Sequence, residues 1–168
     1  MKTDGTETPE ARKAREPLKI AVIGANGKSG ALIAREAATR GHDVTAIVRR
    51  DVKTPAERTV VRDVFDLTAA DLAGFDAVVD TFGAWKPEDL PLHKRHLEHL
   101  ASILAGSATR LLVVGSAGSL YADGSHTSRV LESPQMPEQF KPLATAMSEG
   151  LDYLRTRGDV AWTYVSPP

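Results

Sequence analysis

One stretch near the start of this chain, Leu18 to Arg50, limits most strongly what the sequence can fold into. The apolar run Ile20-Ala21-Val22-Ile23 has the length and composition of a strand buried on both faces. Gly24, Gly27 and Gly30 follow at a G-x-x-G-x-x-G spacing. Ala31, Leu32, Ile33, Ala34, Ala37 and Ala38 then supply an apolar set that can face a sheet at helical period. Gly41-His42-Asp43 breaks that helix, and Val44 to Val48 reads as a second buried strand ending in Arg49-Arg50.

Strand, glycine turn and helix in immediate succession have the chemistry of a dinucleotide pyrophosphate site. Gly24 permits a tight turn off the strand, Gly27 lets backbone approach an oxygen-rich ligand, and Gly30 lets the helix pack closely on the strand beneath. Asn26 lies inside the same turn. The first helical turn, around Gly27, Lys28 and Ser29, points unpaired N–H groups at the phosphates. Three glycines that only make a turn are the competing reading; the flanking strand and helix are the context a phosphate site requires. Where the second strand ends, an acidic side chain would pair with the ribose 2′-hydroxyl of NAD, whereas a guanidinium suits a 2′-phosphate. Neither Val48 nor Arg49 is acidic, so NADP(H) is expected over NAD(H), with Arg49 carrying the preference. Two solvated arginines at a strand end are the alternative, and Asp51 stands close by.

GANGKSG on a first strand resembles the atypical short-chain dehydrogenase/reductase group. Within it, the chain is similar to the small NAD(P)H-binding proteins related to NmrA, to biliverdin reductase B/flavin reductase and to NADH-flavin reductases. The similarity runs from Leu18 to the end, and VRDVFDLT, VVDTFGA, LLVVGSAGSLY and TYVSPP carry it beyond the glycine turn. The resemblance implies an adenine pocket at Asp63 and Val64. It also implies a serine near the nicotinamide, at Ser116, orienting a substrate carbonyl or the carboxamide. Members with a full acid catalyst place a Tyr, and a Lys four residues later, on the next helix; Phe140 and Ala144 stand there in this chain. Lys141 has no tyrosine in register, and Tyr121 is too near Ser116 for the usual proton donor. Relatives continue past the last strand with a segment that closes the nicotinamide pocket, which this chain would lack. Apolar surface left open in that way would favour self-association, with a homodimer as one such assembly. The implied activity is NADPH-dependent hydride transfer to a flavin or a similar conjugated small-molecule acceptor. A non-enzymatic NmrA-like redox sensor and a truncated, inactive relative are the alternatives.

The rest of the chain fits one α/β domain. Its 168 residues are 42% hydrophobic and 26% charged, enough for one core. A formal net charge of −1 without a basic run gives no support for nucleic-acid or membrane binding. There is no cysteine, hence no disulfide or thiolate metal site. No run reaches the length of a membrane span and the N-terminus has no hydrophobic signal core, so cytoplasm is the default. Residues 1–17 are polar and read as a flexible tail, with a short helix over Pro9 to Glu16 as an option, and 18–168 as the domain. Further strands fall at Thr59 to Val64, Phe75 to Gly83, Arg110 to Gly115 and Val160 to Val165. With the helices between them they predict a Rossmann-like, doubly wound, six-stranded parallel sheet of order 3-2-1-4-5-6. Ligands of such sheets lie where the winding reverses, which puts Thr81, Phe82 and Gly83 along the middle of the cofactor. Asp80 reads as a capping or turn residue. His93, His96 and His99 recur every third position on one helix; they rotate apart and converge poorly on a metal, so no metal is assigned and a solvated or partner-facing stripe is expected. Ala122 to Gln139 reads as a substrate lid or mobile loop. Leu143, Met147, Leu151 and Leu154 read as core.

Overall fold

Ile20, Ala21, Val22 and Ile23 are all buried, because the strand they form, β1 (Lys19–Ile23), runs through the middle of the sheet and is covered on both sides. The computed structural model describes residues 16–167, so the expected tail and its optional short helix fall almost wholly outside the described residues. β1 is flanked by β2 (Asp43–Val48) and then by the edge strand β3 (Arg58–Val61). On its other side lie β4 (Ala77–Asp80), β5 (Arg110–Val114) and β6 (Trp162–Val165). Every pairing is parallel and the order is 3-2-1-4-5-6, as the sequence predicts. The winding reverses between β1 and β4, where Ile23 stands beside Asp80.

The sheet's two faces are covered differently. One face carries Ala21, Ile23, Ile47, Val78, Leu111 and Val113, and packs against α3 (Leu92–Ile103) and α4 (Lys141–Arg155) through Leu97, Leu100, Ala101 and Leu154. Burying each such leucine contributes about 1.5–3 kcal/mol. The other face carries Ile20, Val22, Val44, Ala46 and Val48 under α1 (Lys28–Thr39), whose Ala34 is buried there and whose Ile33 and Ala37 pack at the margin. Beyond α1 that face is thinner: Leu112 and Val114 are half-buried and Thr163 and Val165 exposed. The alternation along β6 follows, since Trp162 and Tyr164 point to the helix-covered side.

Several boundaries differ from expectation. β3 ends at Val61, because Asp63 leaves the extended path to cap a 3-10 turn at Val64–Asp66. β6 starts two residues late, at Trp162. The short α2 (Ala69–Leu72) begins where Thr68 and Asp71 signal it, through a reciprocal capping box.

One expectation is corrected outright. The histidine stripe is not solvated: His93 and His96 are 4% and 3% exposed, and His99 reaches the Leu67 carbonyl at 2.9 Å. They face inward because Leu97 and Leu100, one helical turn further on, belong to the same buried face of α3. The loop from Ala122 to Gln139, read as a lid or mobile segment, carries its own hydrogen bonds. The Asp123 carboxylate accepts from the hydroxyls of Ser125, Thr127 and Ser128 and from the backbone N–H of Thr127 and Ser128. These donors hold its carboxyl far below the usual carboxylate range. Arg129 then ties the loop to α4 by two bonds to Asp152, at 2.6 and 2.9 Å.

Candidate functional site

The glycine turn sits at the point where the winding reverses. Gly24 follows β1 with φ 76°, donates to the Ile47 carbonyl at 2.9 Å and accepts from Gly27 N–H at 2.8 Å. A left-handed residue is needed for this turn, and a Cβ on it would stand 2.8 Å from the Thr81 hydroxyl oxygen. That hydroxyl donates to the Ile23 carbonyl at 2.7 Å, so it has no room to withdraw. Gly27 is the N-cap of α1 and no side chain caps the helix. The first-turn N–H groups are therefore left for a ligand. Gly30 crosses directly over the turn, and a Cβ there would run into the Gly24 carbonyl oxygen.

A cavity of about 650 Å³ opens over this turn, within the range of roughly 300–1,000 Å³ typical of small-molecule sites. Ile23, Gly24, Asn26, Gly27, Lys28, Ser29 and Gly30 form its middle. Val48, Arg49, Arg62 and Val64 close one end. Thr81, Phe82, Gly83, Trp85 and His93 form the wall beyond the turn, with Val114, Gly115, Met147 and Pro167 behind them. The structure thus brings together the glycine-turn residues, Arg49, Val64, Thr81, Phe82 and Gly83 around one space.

Asp63 and Ser116 are not among the residues lining that space. Asp63 accepts from Phe65 N–H at 3.0 Å, which fixes the turn that presents Val64. Ser116 caps a 3-10 turn at Ala117–Ser119, its hydroxyl accepting from Gly118 N–H at 3.1 Å. Arg62, Trp85, His93, Gly115 and Met147 escape a reading by sequence alone. Arg62 stands past the end of β3 as Arg49 stands past the end of β2, and scanning strand ends for guanidinium groups would have found it. Its Nη1 is 2.5 Å from Asp71 Oδ1. Thr68, and then Arg62, hold the Asp71 carboxyl below its ordinary range. Met147 sits on the apolar face of α4 and is indistinguishable there from core.

The wall beyond the turn is held by aromatic packing over a buried polar pair. Asp80, 1% exposed, accepts from Phe82 N–H at 3.0 Å and meets His96 Nε2 at 2.8 Å. The turn role expected of Asp80 is present, with His96 added as a hydrogen-bonding partner. His96 Nδ1 faces the Leu92 carbonyl at 2.9 Å, so both ring nitrogens have oxygen neighbours within hydrogen-bond distance. The Phe82 ring stacks on His96 with centroids 4.2 Å apart and meets His93 edge-on at 5.6 Å. His93 Nε2 donates to the Ala84 carbonyl at 2.9 Å, and burial pushes its pKa below the ordinary 6.5. The Tyr164 ring fills the space a side chain on Gly115 would need, and burial raises its phenol.

These residues fit a nicotinamide dinucleotide. An uncapped helix start faces the cavity, two positions in the turn admit no side chain, and two guanidinium groups stand at one end. Among the described residues no group of three or more His, Cys, Asp or Glu side chains could hold a metal ion, and no helix is long and apolar enough to cross a membrane.

Comparison with known proteins agrees with this geometry. Residues 24–168 match the model of a family described as NAD(P)H-binding. YwnB of Bacillus subtilis strain 168, a protein of uncharacterized role, is 44% identical over 153 residues, which is 89% of this chain and 71% of YwnB. The crystal structure of SP1627 from Streptococcus pneumoniae TIGR4, provisionally named an NADH-flavin reductase, superposes with a TM-score of 0.87 at 53% identity, over 89% of this chain and 71% of that one. Lmo0794 from Listeria monocytogenes gives a TM-score of 0.68 at 35% identity, over 90% and 80% of the two chains.

Proposed function

This chain belongs to the NAD(P)H-binding family, and on that premise we propose that it is an NADPH-dependent reductase that passes hydride to a flavin or another flat, conjugated acceptor. The turn from Gly24 to Gly30 and the start of α1 hold the pyrophosphate through backbone N–H groups, with Asn26, Lys28 and Ser29 at its edge. Arg49, joined by Arg62, takes the 2′-phosphate by charge and forked geometry. Val64 packs the adenine, with Asp63 holding the turn that presents it. Thr81, Phe82 and Gly83 run along the middle of the cofactor. The bound dinucleotide supplies the hydride. Ser116 keeps a hydroxyl proton with which to orient a carboxamide or carbonyl after a small local movement.

The observation that carries this reading is the continuous cavity from the paired guanidinium groups, over the uncapped helix start, to the wall at Phe82 and Gly115. The name given to the similar SP1627 supports a flavin-like acceptor; the arginines support NADPH over NADH. Titration of the chain with NADPH and with NADH, followed by cofactor fluorescence, tests it. Arg49→Ala is expected to weaken NADPH by about tenfold or more, since a charge-assisted hydrogen bond contributes ~1.5–3 kcal/mol, and to leave NADH unchanged. Oxidation of NADPH on adding FMN is expected as well. Absence of saturable binding by either cofactor would sink the reading.

A dinucleotide-binding sensor without turnover is the second reading. The position of Ser116 favours it, because its hydroxyl is engaged with Gly118 N–H and stands outside the cavity lining. Saturable binding without oxidation of NADPH by FMN or a quinone would select it.

A further inference from the structure

Trp85 is 78% exposed, higher than any other large hydrophobic side chain among the described residues. An indole left this open is unusual, since aromatic side chains of this size supply large buried areas to cores and interfaces. Its place is specific. It follows Gly83 by two residues on the segment between β4 and the 3-10 turn at Pro87–Asp89, and it lines the cavity together with Phe82, Gly83 and His93. Its ring comes close to Gly83: a Cβ built on Gly83 would be 3.3 Å from the indole nitrogen and 3.6 to 3.7 Å from two ring carbons. The absence of a side chain at Gly83 thus leaves the indole its place, while most of the ring surface stays open to solvent. Phe82, the other aromatic ring on this wall, is already occupied between His93 and His96. Among the described residues no aromatic ring or guanidinium packs on Trp85, in contrast to Tyr121, which is stacked on His126 and overlain by Arg129 and Arg155.

We propose that Trp85 is the stacking platform for the acceptor: one face of the indole receives a flat, conjugated ring system of isoalloxazine type at the end of the cavity away from Arg49 and Arg62. This rests on the reductase reading above and adds the residue that selects the acceptor. Offset stacking of two such rings needs a ring face that no other aromatic or cationic side chain occupies, and the exposed indole offers one. The cofactor end is built from glycine backbone and guanidinium groups, and the acceptor end from this aromatic surface. A change at Trp85 therefore separates the two binding events.

The test uses the full chain with the half-buried Trp162 replaced by Phe, which leaves Trp85 as its single tryptophan. Riboflavin and FMN are titrated in the presence of NADP+, followed both by indole emission and by flavin emission anisotropy. Saturable quenching of the Trp85 emission is expected with both flavins. Trp85→Leu is expected to raise the flavin Kd about tenfold, Trp85→Phe to give an intermediate value, and the NADPH Kd to change by less than about twofold in both. Because the side chain is exposed, Tm should not move, which excludes misfolding as the cause. Flavin binding by anisotropy without quenching, or a Trp85→Leu chain that binds flavin as the parent does, would overturn the proposal while leaving the reductase reading intact. Loss of NADPH binding in the parent chain would overturn both.

Discussion

The two ends of the cavity are made from different materials. Around Gly24, Gly27 and Gly30 the surface is main chain: an uncapped helix start, a turn closed by the Gly27 to Gly24 hydrogen bond, and two positions where no Cβ fits. Around Phe82, Trp85, His93 and Met147 it is side chain, held by a stack over the buried Asp80–His96 pair. A backbone-built surface recognises what every dinucleotide shares, its pyrophosphate. A side-chain surface can be exchanged residue by residue, so on the reductase proposal it is there that an acceptor would be selected.

The sharpest way to break this contrast is Gly30→Ala. Its methyl group meets main-chain oxygen and the Thr81 hydroxyl, so overpacking of about 1–3 kcal/mol is expected in urea denaturation, together with loss of NADPH binding. Retained affinity in a folded Gly30→Ala chain would show that the turn does not set the site. Phe82→Ala comes next. It removes the ring clamped between His93 and His96 and should cost about 2 kcal/mol, less than a fully buried phenylalanine because Phe82 is only half-buried. Acceptor KM should rise more than the NADPH Kd; the reverse order would contradict the division of labour.

A pH series sharpens the comparison further. Burial depresses the His93 pKa, so the unfolded chain binds the proton more readily than the folded one. The stability this group allows is fully present above the ordinary 6.5 and is lost as pH falls below it, at a slope of up to about 1.4 kcal/mol per pH unit. Asp80 and His96 adjoin the same ring, so the measurement is a difference: chemical denaturation from pH 7 to 5 should be flatter below pH 6.5 in His93→Leu than in the parent. Equal slopes would mean that His93 does not titrate on unfolding. The smallest effect belongs to Ser29→Ala. If backbone N–H groups carry the pyrophosphate, removing this hydroxyl should change the NADPH Kd by less than about threefold; a loss of about tenfold would place a side chain in that role.

The same division explains what could be read before the structure. The glycine spacing, the apolar runs and the strand order were legible because each follows from backbone sterics and from burial on two faces, which leave periodic traces in sequence. The Thr68–Asp71 cap is local in the same way, its two partners standing three residues apart ahead of a helix. The three histidines were misread, since a polar ring on an amphipathic helix gives no sign of whether an acid on a distant strand awaits it. Asp80 is sixteen residues from His96 in sequence and 2.8 Å from it in space. Met147 reads as core because its neighbours Leu151 and Leu154 are core, and only its place in the cavity lining with Val114 and Gly115 distinguishes it. The loop after Tyr121 reads as a lid or mobile segment by composition; that a single carboxylate collects donors from Ser125, Thr127 and Ser128 is not visible in composition.

The contact between Gly30 and Gly24 has a consequence for how this sequence can change over generations. When a bulky substitution strikes another side chain, a second mutation can shrink that neighbour and restore the fit. At position 30 the obstacle is a carbonyl oxygen of the main chain, which every amino acid carries. No compensating replacement exists at position 24, and shortening Thr81 removes only the lesser clash. Position 30 is thus closed to drift in either order of mutation, whereas the aromatic wall beyond the turn stays open to it. On the proposal above, new acceptors would be acquired along a lineage at Phe82 and Trp85 while the glycine turn stands still.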